Sequence, residues 1–426
     1  MAGIRYVTLG CKANQYDTGA MEALLTAHGY PTCGRGEVPQ AVVVNSCTVT
    51  EESDRKTRQT LRRMGKQYPD ALLVLCGCSA QRDPESYLEM DEVDCVLGTG
   101  NREAVLFAVE QGRKGEKLNL VEEPSHFFEE MGVAATHRTR GYLKIQDGCD
   151  RYCSYCIIPK VRGPVRSRGM DNLVKEAGAM AESGIREIVL TGIRLISFGR
   201  DRGESLMDAV EAVAALPGVE RIRLGSLDPD EVDGAFIRRA AAEQKLCHHF
   251  HLSLQSGCDA VLHRMNRRYT TGEFRAVADG IRAAMPDAGI TTDVLCGFVG
   301  ETEEEHRATC RFLREVGFSR LHVFPYSKRA GTVAAGLPGH LSRQVKQERA
   351  RELIALGEEL ESAFVQRFLG QKLRAVFETR EGDALVGYTG NYIRVSAPGA
   401  RGELGRSRTV DIIGERRGTA LCRPVD

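Results

Sequence analysis

The sequence of 426 residues has no excess of charge, no long apolar run and no secretory leader pattern. Lysine plus arginine number 58 and aspartate plus glutamate also 58. Net charge therefore favours no nucleic-acid partner, and local patches must carry that argument. No stretch approaches the roughly 20 apolar residues that span a bilayer. The opening run, Met1-Ala2-Gly3-Ile4-Arg5-Tyr6-Val7-Thr8-Leu9-Gly10, lacks a signal-peptide layout and reads as a first strand, so a cytoplasmic location is expected. No solenoid repeat is visible. His248, His249 and His251 have no zinc-site companion and read as packing or surface polarity.

Cysteine is plentiful, with fourteen residues. In a reducing compartment clustered cysteines signal metal or catalysis more often than disulfides. Cys33, Cys95, Cys247, Cys258, Cys296, Cys310 and Cys422 lack ligand-like neighbours and read as packing or surface thiols. By contrast, Cys149, Cys153 and Cys156 share one run, Gly148-Cys149-Asp150-Arg151-Tyr152-Cys153-Ser154-Tyr155-Cys156. Three thiolates on a tight loop after a strand can hold three irons of a cubane cluster that normally takes four. One iron is then left open to a small ligand. Zinc would need a completing CxxC or histidine set that is missing. A disulfide would leave one thiol over, and Gly148 with its flanking charges argues for an exposed loop rather than a packed helix face.

A second set follows three strand-like runs: Cys11 after Thr8-Leu9-Gly10, Cys47 after Val44-Asn45-Ser46, and Cys78 after Cys76-Gly77. Ligands collect at the carboxyl ends of strands in open α/β sheets, so these thiols can converge. The residues alone leave two readings open, a second cluster or three core thiols. Cys76 competes with Cys78, because residues two apart on a strand share a face.

The chain divides by pattern. Ile4–Leu9, Ala41–Ser46 and Ala71–Leu75 alternate with polar helix-like stretches and predict an N-terminal open α/β domain over residues 1–112. Residues 113–138 read as a charged linker with Pro124. Six strand-like runs follow, at Tyr142–Gln146, Glu187–Thr191, Arg221–Gly225, His249–Gln255, Ile290–Cys296 and Arg320–Pro325. They predict a central partial (βα) barrel over 139–362, trailed by a long charged helix near Arg343–Phe368. Five short alternating runs in residues 363–426 predict a small β-barrel of an RNA-binding type.

The C-x3-C-x2-C loop resembles that of the radical S-adenosylmethionine (SAM) superfamily, and Leu9-Gly10-Cys11-Lys12-Ala13-Asn14-Gln15-Tyr16 resembles that superfamily's methylthiotransferases. The resemblance implies that Cys149, Cys153 and Cys156 hold the cluster that cleaves SAM, with Tyr155 against its adenine. It implies a second 4Fe–4S cluster on Cys11, Cys47 and Cys78, with Cys78 rather than Cys76 matching Gly-Cys-x-x-Gln. Arg166, Arg168, Thr191, Gly192, Gln255 and Gly297 are the expected cofactor contacts. Gly297 and Gly300 are explained equally well as a strand-end turn. Within the family the sequence looks most like the branch acting on N6-threonylcarbamoyladenosine beside the tRNA anticodon. That likeness rests on His251-Leu252-Ser253-Leu254-Gln255-Ser256-Gly257, Met265-Asn266-Arg267-Arg268-Tyr269-Thr270 and His322-Val323-Phe324-Pro325-Tyr326-Ser327-Lys328-Arg329. Gly387-Tyr388-Thr389-Gly390-Asn391-Tyr392-Ile393 resembles that branch's TRAM domain. Val299 and Arg194 depart from the family pattern, which usually has proline and asparagine there.

The resemblance implies sulfur insertion as a methylthio group at adenine C2. One SAM would methylate a cluster sulfur and a second would yield the radical that removes the C2 hydrogen. The tRNA anticodon stem-loop is the implied partner, a flavodoxin or ferredoxin the implied electron donor, and a monomer the implied assembly. Arg162, Arg166 and Arg168, and the helical run Arg55, Lys56, Arg58, Arg62, Arg63 and Lys66, read either as phosphate contacts or as solvated charge. Competing targets are an isopentenylated tRNA adenosine or a ribosomal-protein aspartate. A competing class is an iron–sulfur RNA-binding or redox-sensing protein without transferase activity.

Overall fold

A computed structural model describes residues 3–34, 36–132, 139–399 and 404–425. The chain opens with a parallel sheet, β1 (Ile4–Thr8), β2 (Ala41–Ser46), β3 (Leu72–Gly77), β4 (Cys95–Leu97) and β5 (Leu118–Leu120), in that spatial order. Every residue of β2 and β3 is buried, as befits strands covered by helices on both faces. Alternation divides them between two cores. Val43, Val74 and Cys76 face one, while Val42, Val44, Leu73 and Leu75 face the other. The three expected strands are present, β4 and β5 being too short to stand out in sequence. β5 corrects the expected linker at 113–138: its residues pair with β4 and extend the sheet. The following segment stays attached through Glu129, which pairs with Arg102, and the Met131 carbonyl, which accepts from the Tyr16 hydroxyl at 2.7 Å. The end of that expected linker, 133–138, lies outside the described residues.

The central unit comprises β6 (Arg140–Lys144), a short antiparallel pair β7 (Gln146–Asp147) and β8 (Arg166–Ser167), then β9 (Glu187–Thr191), β10 (Arg221–Leu224), β11 (Ser226–Leu227), β12 (His249–Leu252), β13 (Gly289–Cys296) and β14 (Arg320–Pro325). The order β6-β9-β10 continues through Gly225 into β11-β12-β13-β14, all parallel. β10 and β11 act as one interrupted strand, so six βα units form an open barrel, as the spacing predicts. Helix Lys12–Ala27 packs against β6 and helix Arg343–Gln366 against β14.

The tail forms a closed barrel, β15 (Lys372–Glu381), β16 (Ala384–Thr389), β17 (Arg394–Pro398), β18 (Ser407–Arg416) and β19 (Thr419–Val425), in the order β15-β16-β17-β19-β18. Phe364, Val365 and Phe368, from the end of the long helix and just beyond it, enter its core beside Phe377, Val395 and Ile412. That helix therefore belongs to two cores, and an expected boundary at residue 363 falls inside it. Among the described residues no helix is long and apolar enough to cross a membrane.

The turn between β16 and β17 docks under the central barrel. Tyr392 stacks on His249 at 4.4 Å between ring centroids, and Arg223 donates to the carbonyls of Thr389 and Gly390 at 3.1 Å. The arginines converge on one carboxylate: Arg223 reaches Glu187 at 2.9 Å, Arg140 at 3.4 Å, and Arg221 also pairs with it. Burial alone would raise the pKa of Glu187, but Arg223, Arg221 and Arg140 outweigh it and hold the carboxyl down to about 2, against an ordinary 4.5. The contribution of this group is complete above pH 4.5 and fades as pH falls toward 2. Glu187→Gln is expected to cost about 3–5 kcal/mol at neutral pH. In urea titrations followed by circular dichroism, the gap between wild type and variant should narrow through that acidic window.

Candidate functional site

β7 and β8 hold the Cys149–Cys156 loop at both ends. The loop departs from β7 at Gly148, whose φ is +75°, and a Cβ there would run into the Pro164 carbonyl. All fourteen cysteines are free. Cys149, Cys153 and Cys156 are half-buried and line one cavity of about 140 Å3 with Tyr155, Arg194, Gln255 and Arg267. No other cysteine lines it. Burial pushes the Cys149 thiol up to about 11 and Cys156 up to about 12, so both keep their protons until a metal displaces them. Arg267 donates to Cys153 Sγ at 3.3 Å, to Asp228 at 2.9 Å and to the Ser253 carbonyl at 3.0 Å.

The second set gathers at the sheet's carboxyl end. Cys11 caps the start of helix Lys12–Ala27, Cys47 follows β2, and Cys78 begins the short helix after Gly77. Gly10, at φ +102°, lets the first loop lie against the second: a Cβ there would sit 3.2 Å from Cys47 Sγ. Burial pushes Cys78 up to about 11, against the pull of Arg162. Cys76 turns instead into the sheet's own core, its thiol on the Val44 carbonyl at 3.5 Å. Gly77 ends the strand, so the two thiols do not share a face.

Arg162 lies beneath this second set and is buried. It donates to Asn14 at 2.6 Å, to Asp147 at 3.0 Å and to Asp17 at 3.3 Å. Asp147 also meets Arg102 and Lys144 at 3.2 Å and Arg166 at 3.5 Å, and Asp17 meets Arg102 at 3.2 Å. Despite burial, which opposes it, these cations hold Asp147 well below the carboxylate range. Four cations thus face Asp17, Asp147 and Glu129, and the surplus positive charge lies toward Cys78 and Cys11. Between the two sets Cys78 packs with Ile157 and Val161.

The structure brings together Tyr155, Gln255 and the loop cysteines, but not every expected contact. Arg166 is spent on Asp147 and the carbonyls of Arg162 and Pro164, and Arg168 on Tyr16, Asn172 and Glu176. Neither borders the cysteine cavity, because each is consumed by buried partners near its own backbone. Thr191 ends β9, and Gly192 backs onto Gln146. The Gly297 N–H donates to Glu301 at 2.5 Å, with Lys346 beside its Cα. Arg194, the departure from the family pattern, does reach the cavity, where it pairs with Asp150 and Glu231. Val299 packs with Val261, Phe298 and Tyr326, and nothing in the structure explains the absent proline. Arg267 carries no signal in its spacing that marks it as a cysteine partner.

A second cavity, of about 430 Å3, opens between the units. Val49, Thr50 and Ser53 form one side, and Cys156, Gln255, Asp293, Leu295 and Phe324 the other. It joins the loop cysteine to the strand end that carries Cys47.

An open (βα) barrel with a three-cysteine loop at its strand carboxyl ends defines an iron–sulfur enzyme of the radical SAM class. The Radical SAM superfamily model matches residues 143–313, and that of an uncharacterized protein family, UPF0004, matches 4–98. The chain is 38% identical to the threonylcarbamoyladenosine tRNA methylthiotransferase MtaB of Bacillus subtilis (strain 168), over 97% of this chain and 94% of that one. It is 34% identical to the protein of that name from Aquifex aeolicus (strain VF5), over 95% and 98%. A tRNA-2-methylthio-N(6)-dimethylallyladenosine synthase of Pelotomaculum thermopropionicum is 31% identical over 89% and 87%. The chain belongs to the methylthiotransferase family of radical SAM enzymes, whose cofactors are SAM and two 4Fe–4S clusters. Among solved structures, the radical SAM methyltransferase TsrM from Kitasatospora setae shares the fold with a TM-score of 0.59 at 15% identity, over 79% of this chain and 77% of that one.

Gly148→Ala is expected to lower iron and sulfide content toward half, because the loop loses the left-handed backbone and the space beside Pro164. Elemental analysis after anaerobic reconstitution checks this, with Gly178→Ala, where a Cβ meets nothing within 4 Å, as the control.

Proposed function

We propose that this enzyme methylthiolates C2 of N6-threonylcarbamoyladenosine next to the tRNA anticodon, giving 2-methylthio-N6-threonylcarbamoyladenosine. The observation that carries this reading is near-full-length similarity, at 33–38% identity, to three methylthiotransferases with that substrate in their names. Cys149, Cys153 and Cys156 would hold the SAM-binding cluster, and Cys11, Cys47 and Cys78 the cluster on the sulfur side. Each set offers three thiols and no fourth, which fits a cubane with one open iron. The bound clusters and SAM supply the one-electron chemistry that an unactivated C2–H bond demands.

The chain's own residues bind, orient and exclude water. Leu295, Phe324 and Pro325 give the larger cavity an apolar wall suited to a flat base. Tyr155, set edge-on to Phe298 at 6.3 Å, closes the side toward the loop. Arg267 and Arg162 place a positive charge beside each cysteine set. Arg62, Arg63 and Lys66 are exposed on helix Glu51–Gln67 and offer phosphate contacts. The small C-terminal barrel serves as the RNA-binding TRAM unit, and the N-terminal sheet as the sulfur-side domain.

Nucleoside mass spectrometry of tRNA from cells with and without the gene tests the substrate. The methylthiolated nucleoside should disappear on deletion, and its persistence would overturn the reading. In vitro, Cys47→Ala should still form 5′-deoxyadenosine from SAM yet lose methylthiolation, whereas Cys153→Ala should lose both.

A further inference from the structure

Cys310 reads in sequence as a packing thiol, yet the fold gives it neighbours that the chain does not. It lies on helix Glu303–Val316, one turn after His306, so the two residues share a face. Leu313 and Val316 continue that face into the apolar core, and the helix packs against helix Arg343–Gln366. Apolar side chains alone would serve such a contact. His306 is instead 1% exposed and Cys310 3%, and a buried polar ring is costly unless it is partnered.

The partner is Glu352, half-exposed on the long helix. His306 Nε2 lies 2.9 Å from Glu352 Oε2. Cys310 Sγ lies 3.8 Å from that nitrogen and 3.8 Å from Glu352 Oε1. One ligand atom from each residue thus falls within 4.8 Å of the other two. A hydrogen bond between His306 and Glu352 has no need of the thiol, which is a weak donor. A shared ion accounts for all three groups. Bonds of about 2.0–2.2 Å to nitrogen and oxygen and 2.3 Å to sulfur set tetrahedral ligand atoms roughly 3.3–3.6 Å apart. Rotation of the solvent-facing Glu352 carboxylate supplies the adjustment.

The donor set selects the ion. A thiolate, an imidazole and a carboxylate together suit a borderline-soft dication. The two anionic ligands cancel its charge, and the neutral ring adds none. Glu301, a further carboxylate acting on Cys310, is spent on Arg349 and the Gly297 N–H. Among the described residues no fourth side chain joins the group, so water takes the remaining position. None of the three lines the loop-cysteine cavity or the larger one.

We propose that His306 Nε2, Cys310 Sγ and the Glu352 carboxylate bind one Zn2+, separate from both clusters, that clamps the long helix to the central barrel. Binding releases the Cys310 proton to solvent. Without the ion, burial and Glu352 push that thiol up to about 11 and keep it protonated. The same helix runs on into the core of the small barrel, so the clamp bears on the joint between these two units.

Cluster-loaded wild type, Cys310→Ala and Glu352→Gln are incubated with zinc chloride, desalted, and assayed for zinc, iron and sulfide. Wild type should keep one zinc per chain with iron and sulfide unchanged. Zinc-edge X-ray absorption should then show a single sulfur near about 2.3 Å among nitrogen and oxygen ligands. In chelator competition each variant should bind zinc more than about 100-fold more weakly, beyond the cost of losing an outer partner of a ligand. Glu352→Gln leaves the buried residues in place and keeps a hydrogen-bonding amide, so it decides alone if Cys310→Ala fails to fold. Wild type that retains no zinc overturns the proposal. So does a shell of two or more sulfurs, which assigns the metal to the cluster cysteines, and so does equal affinity in wild type and either folded variant.

Discussion

Asp17 and Asp147 are the two charges on which the arrangement depends. One comes from the first helix, the other from the strand that launches the cysteine loop, and both are buried among Arg102, Lys144 and Arg162. Buried carboxylates tolerate only close, well-bonded cations, and losing one partner leaves a charge that water cannot reach. That intolerance makes the network a locating device. The N-terminal sheet cannot slide on the central barrel without breaking several such pairs, so the strand ends carrying Cys11, Cys47 and Cys78 stay facing the loop carrying Cys149, Cys153 and Cys156.

The same chemistry continues outward from this joint. Arg162 anchors the network and also lies under the second cysteine set, while Arg267 serves the first from the opposite side. An iron–sulfur cluster with three thiolates is anionic, and a nearby cation lowers the cost of assembling it away from bulk water. The apolar contact of Cys78 with Ile157 and Val161 keeps the space between the sets narrow. The cavity beside it, with Phe324 and Leu295, leaves the route by which a base can enter. At the far end the small barrel does more than follow the long helix: its turn supplies Tyr392 and the carbonyls that satisfy Arg223, so it also closes the underside of the central barrel.

Much of this was legible from local pattern. Strand and helix periods revealed three of the five strands in the first sheet, all six βα units and the five-stranded tail, because each depends on neighbours in sequence. β4 and β5 escaped, being three residues each and held by pairing rather than composition. The loop cysteines were readable from spacing, since one short loop must present all three. Arg166 and Arg168 were misplaced for the opposite reason. A charged residue near a cofactor loop can face the cofactor or a buried carboxylate, and only the position of Asp147 and Glu176 decides which.

By itself, then, the sequence determined the chemistry: thiols at ligand spacing and the alternations that build each unit. Tertiary structure alone decided how these units are aligned. Residues at positions 17, 102, 144, 147 and 162 share one buried network. Cys78 rather than Cys76 turns toward the other thiols. Such relations come from long-range packing and from the penalty on unpaired buried charge, and neither leaves a period or a spacing along the chain.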